Sequence, residues 1–281
     1  IIFCLFFVLG ALGLLRAQNY HYVGNYQNPP SSNRYDGFNT QNAPTLWVYN
    51  NSASQLVYPV SDLYPLIGKL ITSVKFKFYN KNWRSNDEYS SKVKIYITEV
   101  GQEKLKYDSV SLNAYVWYDV DLTSPQATIT YTVTPSDFIS DDEEMEFDFS
   151  SNPYLYNGGN LLITVVDSAS AVAGGGKVKN YYYRPLHGKQ CVAVWGSNNQ
   201  QFSDIYTAGA KILNTDSGQT SRIDNYLPIA AFGYRNSVNP NCPTPSSLRA
   251  INTTLNSVKI AWTAGGSETE WAVQYLSLIH I

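Results

Sequence analysis

Apolar and polar residues alternate along much of the chain, with the period of two that is typical of β-strands with one buried face. In the stretch SVKFKFYN, Val74, Phe76 and Phe78 share one face while Lys75 and Lys77 occupy the other, because successive side chains of a strand point to opposite sides. The same alternation predicts further inward-facing sets at Val93, Ile95 and Ile97, at Ile129, Tyr131 and Val133, and at Met145, Phe147 and Phe149.

Two stretches, NLLITVVD and QCVAVW, are more continuously apolar, which predicts central strands covered on both faces. Turn-forming clusters such as NKNWRSND, SNPYLYNGGN and AGGGK separate the strands. Because helical periodicity is nearly missing, we expect an all-β fold over residues 45–236, an antiparallel β-sandwich of jelly-roll type. A polar N-terminal segment, 18–44, precedes it.

A second unit begins after the proline-rich stretch SVNPNCPTPSSL, from which we predict a linker at 237–245. The unit covers residues 246–275 and contains two alternating stretches, SVKIAW and EWAVQY, separated by the hairpin-like turn TAGGSET. The residues expected to face inward are Val258, Ile260, Trp262, Trp271, Val273 and Tyr275.

The first 17 residues, IIFCLFFVLGALGLLRA, are apolar and end in the small residue Ala17. A bilayer span needs about 20 apolar residues, so we interpret 1–17 as the remnant of a signal peptide, with a retained membrane anchor as the alternative. A secreted or cell-surface location follows, with no membrane span in the mature chain. Cys4 would leave with the signal peptide.

Composition supports a folded β-rich chain: 44% of the residues are hydrophobic, 15% are charged and 23 are Tyr. The formal net charge of −2 argues against a nucleic-acid partner, which would call for a basic face.

Residues 242–275 resemble the opening of a fibronectin type III domain, in the Cys-Pro start at Cys242 followed by Leu248, Trp262 and Tyr275. The resemblance covers roughly the first three of about seven strands, so we expect an incomplete domain. The final LSLIHI, residues 276–281, resembles the translation of a transposase end sequence used in DNA sequencing. We therefore expect an adapter scar there, with a genuine strand as the alternative, and leave His280 out of any site.

The larger unit carries a second resemblance, in EFDFSSNPYLYNGGNLLITVVD, LVYPVSDL, ITSVKFKFY, KVKIYITEV and LPIAAFGY. Together these stretches, spanning about residues 45–234, resemble a β-sandwich domain of secreted multidomain proteins of the Bacteroidetes type. The resemblance implies adhesion, glycan binding or an ancillary role beside peptidases. The stretch 99–145 departs from the usual short form through an extra polar segment and the run DDEE.

No catalytic constellation is predicted. Apart from His280, the mature chain offers His21, in a polar tail, and His187, in HGKQC. His187 and Cys191 together fall short of the three or four ligands of zinc. The stretch AGGGKV lacks the first Gly and the final Ser or Thr of a phosphate-binding loop. A glycoside hydrolase with two paired carboxylates stays open as an alternative.

Aromatic residues in polar surroundings are the best candidates for binding. Trp83, with Arg84 beside it, lies in a polar loop where it could stack on a sugar, and Tyr182 lies in the alternating stretch NYYYR. The alternatives are that Trp83 folds back over the sandwich and that the tyrosines fill the sheet.

Asp141, Asp142 and Asp167 are weak candidates for a structural calcium ion, since Ca²⁺ prefers oxygen ligands, although consecutive acidic residues also occur in ordinary solvated turns. No other cofactor is expected. In an exported chain Cys191 and Cys242 could form a disulfide, or Cys191 could be a buried thiol.

From these observations we expect a non-catalytic extracellular module for recognition or adhesion, with a glycan or a host protein as its partner. The alternatives are a structural spacer and an ancillary domain of a secreted peptidase or glycoside hydrolase.

Overall fold

The protein, described here by a computed structural model, divides into two compact units, residues 1–235 and 236–281. The structure describes residues 18–29, 44–45, 51–80, 89–110, 114–133, 143–169, 179–186, 189–197, 199–206, 209, 219–237, 246–254 and 257–265.

The first unit is built from strands, in chain order β1 (Asn19–Val23), β2 (Asn51–Tyr58), β3 (Lys69–Asn80), β4 (Tyr89–Val100), β5 (Lys106–Asp108), β6 (Ala114–Val116), β7 (Ala127–Val133), β8 (Glu143–Asp148), β9 (Tyr154–Leu155), β10 (Asn160–Ala169), β11 (Lys179–Tyr181), β12 (Tyr183–Pro185), β13 (Val192–Ser197), β14 (Gln219–Asp224), β15 (Tyr226–Pro228) and β16 (Ala230–Asn236). Two single helical turns, α1 (Val60–Leu63) and α2 (Phe202–Ile205), and a 3₁₀ turn (Tyr64–Leu66) accompany them. Within the described ranges, none of the helices has the length and apolar character that a membrane crossing requires.

Most of the strands form two six-stranded sheets. Sheet A has the order β1-β16-β3-β11, and β8 and β9 also pair with β3. Sheet B has the order β14-β13-β2-β10-β4-β7, and each of its pairings is antiparallel. Strands β1, β8, β9 and β11 likewise run antiparallel to their partners in sheet A. Two-stranded pairs, β12 with β15 and β5 with β6, complete the unit.

The two sheets pack face to face around one hydrophobic core. Tyr58 of sheet B meets Phe232 of sheet A edge-to-face, with ring centroids 5.4 Å apart. Core residues of β2, β4, β10 and β13 belong to the same buried cluster as those of β3, β8 and β16. The prediction of an all-β antiparallel sandwich is confirmed.

The period-two pattern places the core residues correctly where the structure describes their side chains. In β3, Val74 and Phe76 are fully buried, and Lys75 and Lys77 lie on the other face with partial exposure. The alternate residues Val93, Ile95, Met145 and Phe147 are also fully buried. Strands β10 and β13 both have neighbours on each side in sheet B, so the prediction that they are central is also confirmed.

Strand β2 is a central strand that its polar sequence, NSASQLVY, does not reveal. All eight residues are buried, because the outer face of sheet B is covered as well. Gln55 accepts a hydrogen bond from the Tyr118 amide (2.9 Å) and donates one to the Tyr118 carbonyl (3.1 Å), which ties the segment 117–122 to the sheet. Phe202 of α2 packs on Trp117 and on Trp195 of β13. The polar stretch after β4 is therefore a cover for sheet B.

Residues 19–23, which the sequence placed in a polar segment over 18–44, form a strand of sheet A, while residues 30–43 lie outside the described residues. Strand β1 pairs with β16 along its whole length, and Gln18 donates side-chain hydrogen bonds to Thr72 (2.9 Å) and Ser73 (2.8 Å) of β3. Gly233 permits this contact, because a Cβ there would lie 2.3 Å from the Ser73 hydroxyl oxygen. Backbone pairing with β16 thus makes the polar sequence of β1 part of sheet A.

The second unit contains an antiparallel pair, β17 (Ser246–Thr253) and β18 (Val258–Thr263). Strand β18 coincides with the predicted strand SVKIAW, and Ile260 and Trp262 are half-buried. Val258, expected to face inward, is 57% exposed, because the described part of this unit holds two strands and no second sheet. Trp271, Val273 and Tyr275 lie outside the described residues.

Candidate functional site

Of the residues singled out in the sequence, Trp83, Arg84, Asp141, Asp142, His187 and Cys242 lie outside the described residues. Tyr182, Asp167, Cys191 and His21 lie within the described residues.

Tyr182 is part of the packing and not of an exposed surface. Its side chain is 1% exposed and packs with Tyr26, Ile229 and Ala231 in a small cluster outside the main core. Its amide donates to the Lys77 carbonyl and its carbonyl accepts from the Ile229 amide, each at 3.0 Å. Because this burial leaves no ring surface for a ligand, the alternative in which this tyrosine fills the sheet applies, and the binding role predicted for Tyr182 is corrected.

Asp167 lies in the interior of sheet B, opposite Ser52 of β2 and Val93 of β4. It is 1% exposed. The Ser91 hydroxyl donates to Oδ1, while Oδ2 has no hydrogen-bond partner within the described part of the chain. Burial raises the pKa of Asp167 to about 8, because a charged carboxylate is poorly solvated there. The carboxyl group is therefore mostly neutral at pH 7.

A neutral carboxyl group is a poor cation ligand. Among the residues that the structure describes, no cluster of three or more His, Cys, Asp or Glu side chains could hold a metal ion. A calcium ion at Asp141, Asp142 or Asp167 stays a prediction.

Cys191 is a free and buried cysteine. Burial, with a smaller effect of the nearby Asp224 carboxylate, raises the pKa of its thiol to about 12. Since the thiolate is the nucleophilic form, this thiol is unreactive at neutral pH. Its pairing with Cys242 stays a prediction.

His21 serves the structure of the sheet edge. Its Nε2 lies 2.6 Å from the Asp62 carbonyl oxygen, so the ring N–H donates to the turn at α1. Burial lowers the pKa of His21, which keeps the ring neutral at pH 7. Next to it, the Asp62 carboxylate pairs with the Arg184 guanidinium. The arrangement holds α1 against β1.

An aromatic surface lies on the outer face of sheet A, formed by Tyr20, Tyr22 and Tyr26, which we name the tyrosine row. The Tyr20 and Tyr22 ring centroids are 6.3 Å apart at an interplanar angle of 25°, and those of Tyr22 and Tyr26 are 5.6 Å apart at 30°. Tyr26 is buried at one end, while Tyr22 leaves 40% of its surface exposed. In the row, the Tyr22 ring is therefore held by stacking on both neighbours and still has exposed surface.

Charged groups of β3 and β8 surround the row. The Lys75 ammonium lies 4.7 Å from the Tyr20 ring centroid, and the Lys77 ammonium lies 5.7 Å from that of Tyr26. The Tyr20 hydroxyl donates to Glu146 Oε1 at 3.3 Å. The row therefore combines ring surface with hydrogen-bond donors and acceptors from the paired strands β3 and β8.

The sequence contained a pattern for this surface. In NYHYV, Tyr20 and Tyr22 alternate with His21 at strand spacing, so both rings must lie on one face of any strand formed there. Which face turns outward is set by the register of β1 on β16, where Tyr20 lies opposite Gly233 and Tyr22 opposite Ala231.

A cleft of about 660 Å³ on sheet B is lined by residues that include Thr98, Gln102, Lys106, Trp117 and Asp119. Its size lies within the range of small-molecule sites. Its aromatic groups are engaged elsewhere, however, since Trp117 is 6% exposed and the neighbouring Tyr118 hydroxyl donates to the Lys104 carbonyl. The tyrosine row is accordingly the stronger candidate.

Comparison with known proteins gives no relative: no protein-family model, curated protein or solved structure matches the chain. The resemblances to a fibronectin type III domain and to Bacteroidetes-type surface proteins stay predictions.

Proposed function

We propose that the chain is a non-catalytic recognition module that binds glycans through the tyrosine row. The observation that carries the proposal is Tyr22, which is 40% exposed while stacked between Tyr20 and Tyr26. An aromatic ring held in this way presents apolar surface at a low cost in side-chain entropy. The CH groups of a pyranose ring complement such a surface, and its hydroxyl groups need the polar partners that flank it.

We also propose that the module acts outside the cell, on a secreted or surface protein. The support is the apolar run of residues 1–17 with Ala17 at its end, together with the resemblance of the sandwich to secreted β-sandwich domains. A role beside a peptidase or glycoside hydrolase in a larger protein is compatible with this proposal, because glycan binding would bring such an enzyme to its substrate.

The proposal is tested by affinity electrophoresis in gels that contain soluble plant, fungal or bacterial polysaccharides. Retardation by at least one polysaccharide should be lost in Tyr22→Ala and kept in Tyr107→Ala. Tyr107 is a matched control because it is 43% exposed and its ring packs on Tyr115. Both substitutions should leave the free energy of unfolding within about 1 kcal/mol of the parent value, as is common for surface changes.

Two results would overturn the proposal. If no polysaccharide retards the chain, the spacer or a protein-binding role takes its place. If retardation survives Tyr22→Ala, the row is not the site, and Trp83→Ala in the same gels then tests the other predicted aromatic residue.

A further inference from the structure

The charges beside the tyrosine row are paired with one another. Lys75 Nζ lies 3.5 Å from Glu144 Oε2 and 3.4 Å from Glu146 Oε2, and Glu146 also accepts the hydrogen bond from Tyr20. The Lys75 side chain is 19% exposed, against 39% for each glutamate. These three side chains carry one positive and two negative charges, and Lys77, opposite Glu144 in the pairing of β3 and β8, brings the sum of the four to zero.

The ammonium groups of two lysines also lie over two of the three rings. Lys75 lies over Tyr20 and Lys77 over Tyr26, and Lys77 Nζ donates to the Tyr26 carbonyl at 3.4 Å. Among the described residues no cation lies over the Tyr22 ring. Open ring surface is therefore concentrated at Tyr22, which is 40% exposed.

We propose that the ligand of the tyrosine row is an uncharged sugar chain. The inference rests on the proposed function and specifies its ligand. An acidic sugar would need an excess of positive charge, but Lys75 is shared by two carboxylates and the charges of Lys75, Lys77, Glu144 and Glu146 sum to zero. A cationic ligand on the open Tyr22 ring, which would be held by a cation–π contact, would be flanked by the ammonium groups of Lys75 and Lys77 over the rings on either side.

A neutral pyranose has no such requirement. Its CH groups can cover the exposed part of Tyr22, while its hydroxyl groups both donate and accept. They can therefore bond to Glu146 and Lys75 without separating the pair, and no charge has to be stripped of its partner, which would be costly.

The test compares retardation in gels containing neutral polysaccharides (xyloglucan, galactomannan), acidic ones (polygalacturonate, alginate) and the cationic chitosan. Each gel is run at about 20 mM and about 500 mM NaCl, the latter reducing the screening length to a few Å. We expect retardation by at least one neutral polysaccharide, the same at both salt concentrations, and none by the charged ones. Tyr22→Ala should raise the Kd for the neutral polysaccharide about tenfold or more, the loss expected for an aromatic contact.

A charge variant sharpens the test. Glu146→Gln leaves Lys75 with Glu144 as its carboxylate partner, so this variant should gain weak retardation by polygalacturonate that disappears at high salt. If an acidic polysaccharide or chitosan retards the parent chain, the inference on ligand charge is overturned. The proposed function still stands in that case if Tyr22→Ala abolishes the retardation. No retardation in any gel would overturn both.

Discussion

The Glu99 carboxylate is held by the amide of Gly159, which donates to Oε2 at 2.6 Å. The Asn157 amide donates to Oε1 at 2.8 Å, so the turn between β9 and β10 wraps around the last part of β4. Gly158 has a φ of +103°, and a Cβ on Gly159 would lie 2.9 Å from Glu99 Oε2. The segment YNGGN is therefore a carboxylate-binding turn, and its two glycines are required by backbone conformation and by close approach.

Replacing Glu99 by Gln should destabilise the first unit by about 1–3 kcal/mol, because the amide group cannot accept from both backbone donors as the carboxylate does. Urea unfolding measures the change. Glu103→Gln is the control, since Glu103 pairs with Lys189 at the surface with 45% of its side chain exposed, and such pairs contribute little. Equal effects of the two substitutions would contradict this role of the turn.

Replacing Gln55 by Ala should also cost about 1–3 kcal/mol, because it leaves the partly buried Tyr118 amide without its acceptor. The segment 117–122, which covers sheet B, should then be held less tightly. Its amide hydrogens should exchange faster than those of β10. Tyr206→Phe is a useful comparison, since the Tyr206 hydroxyl bonds both to the Tyr118 carbonyl (2.5 Å) and to the Val120 amide (2.8 Å). If neither variant alters exchange in this segment, the cover is held by packing alone.

Asp167 should make stability fall as pH rises. Its pKa in the folded protein, about 8, lies above the ordinary value of 3.8, so the folded protein holds an extra proton between these values. The free energy of unfolding should therefore decrease by up to about 1.4 kcal/mol per pH unit from about pH 4 to about pH 8, and then level off.

Asp167→Asn should remove this slope, because Asn resembles the neutral carboxyl group. Denaturant unfolding at several pH values between 5 and 8 compares the variant with the parent chain. Asp121→Asn is the control. Asp121 is exposed and hydrogen bonds from Thr123 lower its pKa, so any effect of this substitution on the pH dependence of stability occurs at acidic pH. Parallel curves for the parent and Asp167→Asn would show that Asp167 is ionised in the folded state.

The Cys191 thiol should resist iodoacetamide at pH 8 in the folded chain and react once the chain is unfolded, because it is buried with its pKa raised to about 12. Intact mass under non-reducing conditions tests the other alternative, since a disulfide with Cys242 would lower the mass by two hydrogens. Rapid modification of Cys191 in the native Cys242→Ser variant would show that the thiol is accessible.

The sequence alone determined the strands whose side chains alternate. In β3 and β8 the residues Val74, Phe76, Met145 and Phe147 recur every second position, and a strand can hide such a set only by turning one face to a core. The class of the fold follows from this local property. The continuous apolar character of β10 and β13 likewise predicted central strands, because both faces of a central strand are covered.

Only the tertiary structure decided which polar residues are inside and which aromatic residues are outside. Ser54 and Gln55 are buried in β2 because Pro44 and Tyr118, distant in sequence, supply their hydrogen-bond partners. Tyr22 and Tyr182 both belong to tyrosine-rich strand sequences, yet Tyr22 is exposed and Tyr182 is buried. The register of β1 on β16 turns Tyr22 outward, whereas Tyr182 packs in a buried cluster with Tyr26. A local pattern fixes the periodicity of side chains, whereas the face that becomes buried depends on what packs against it.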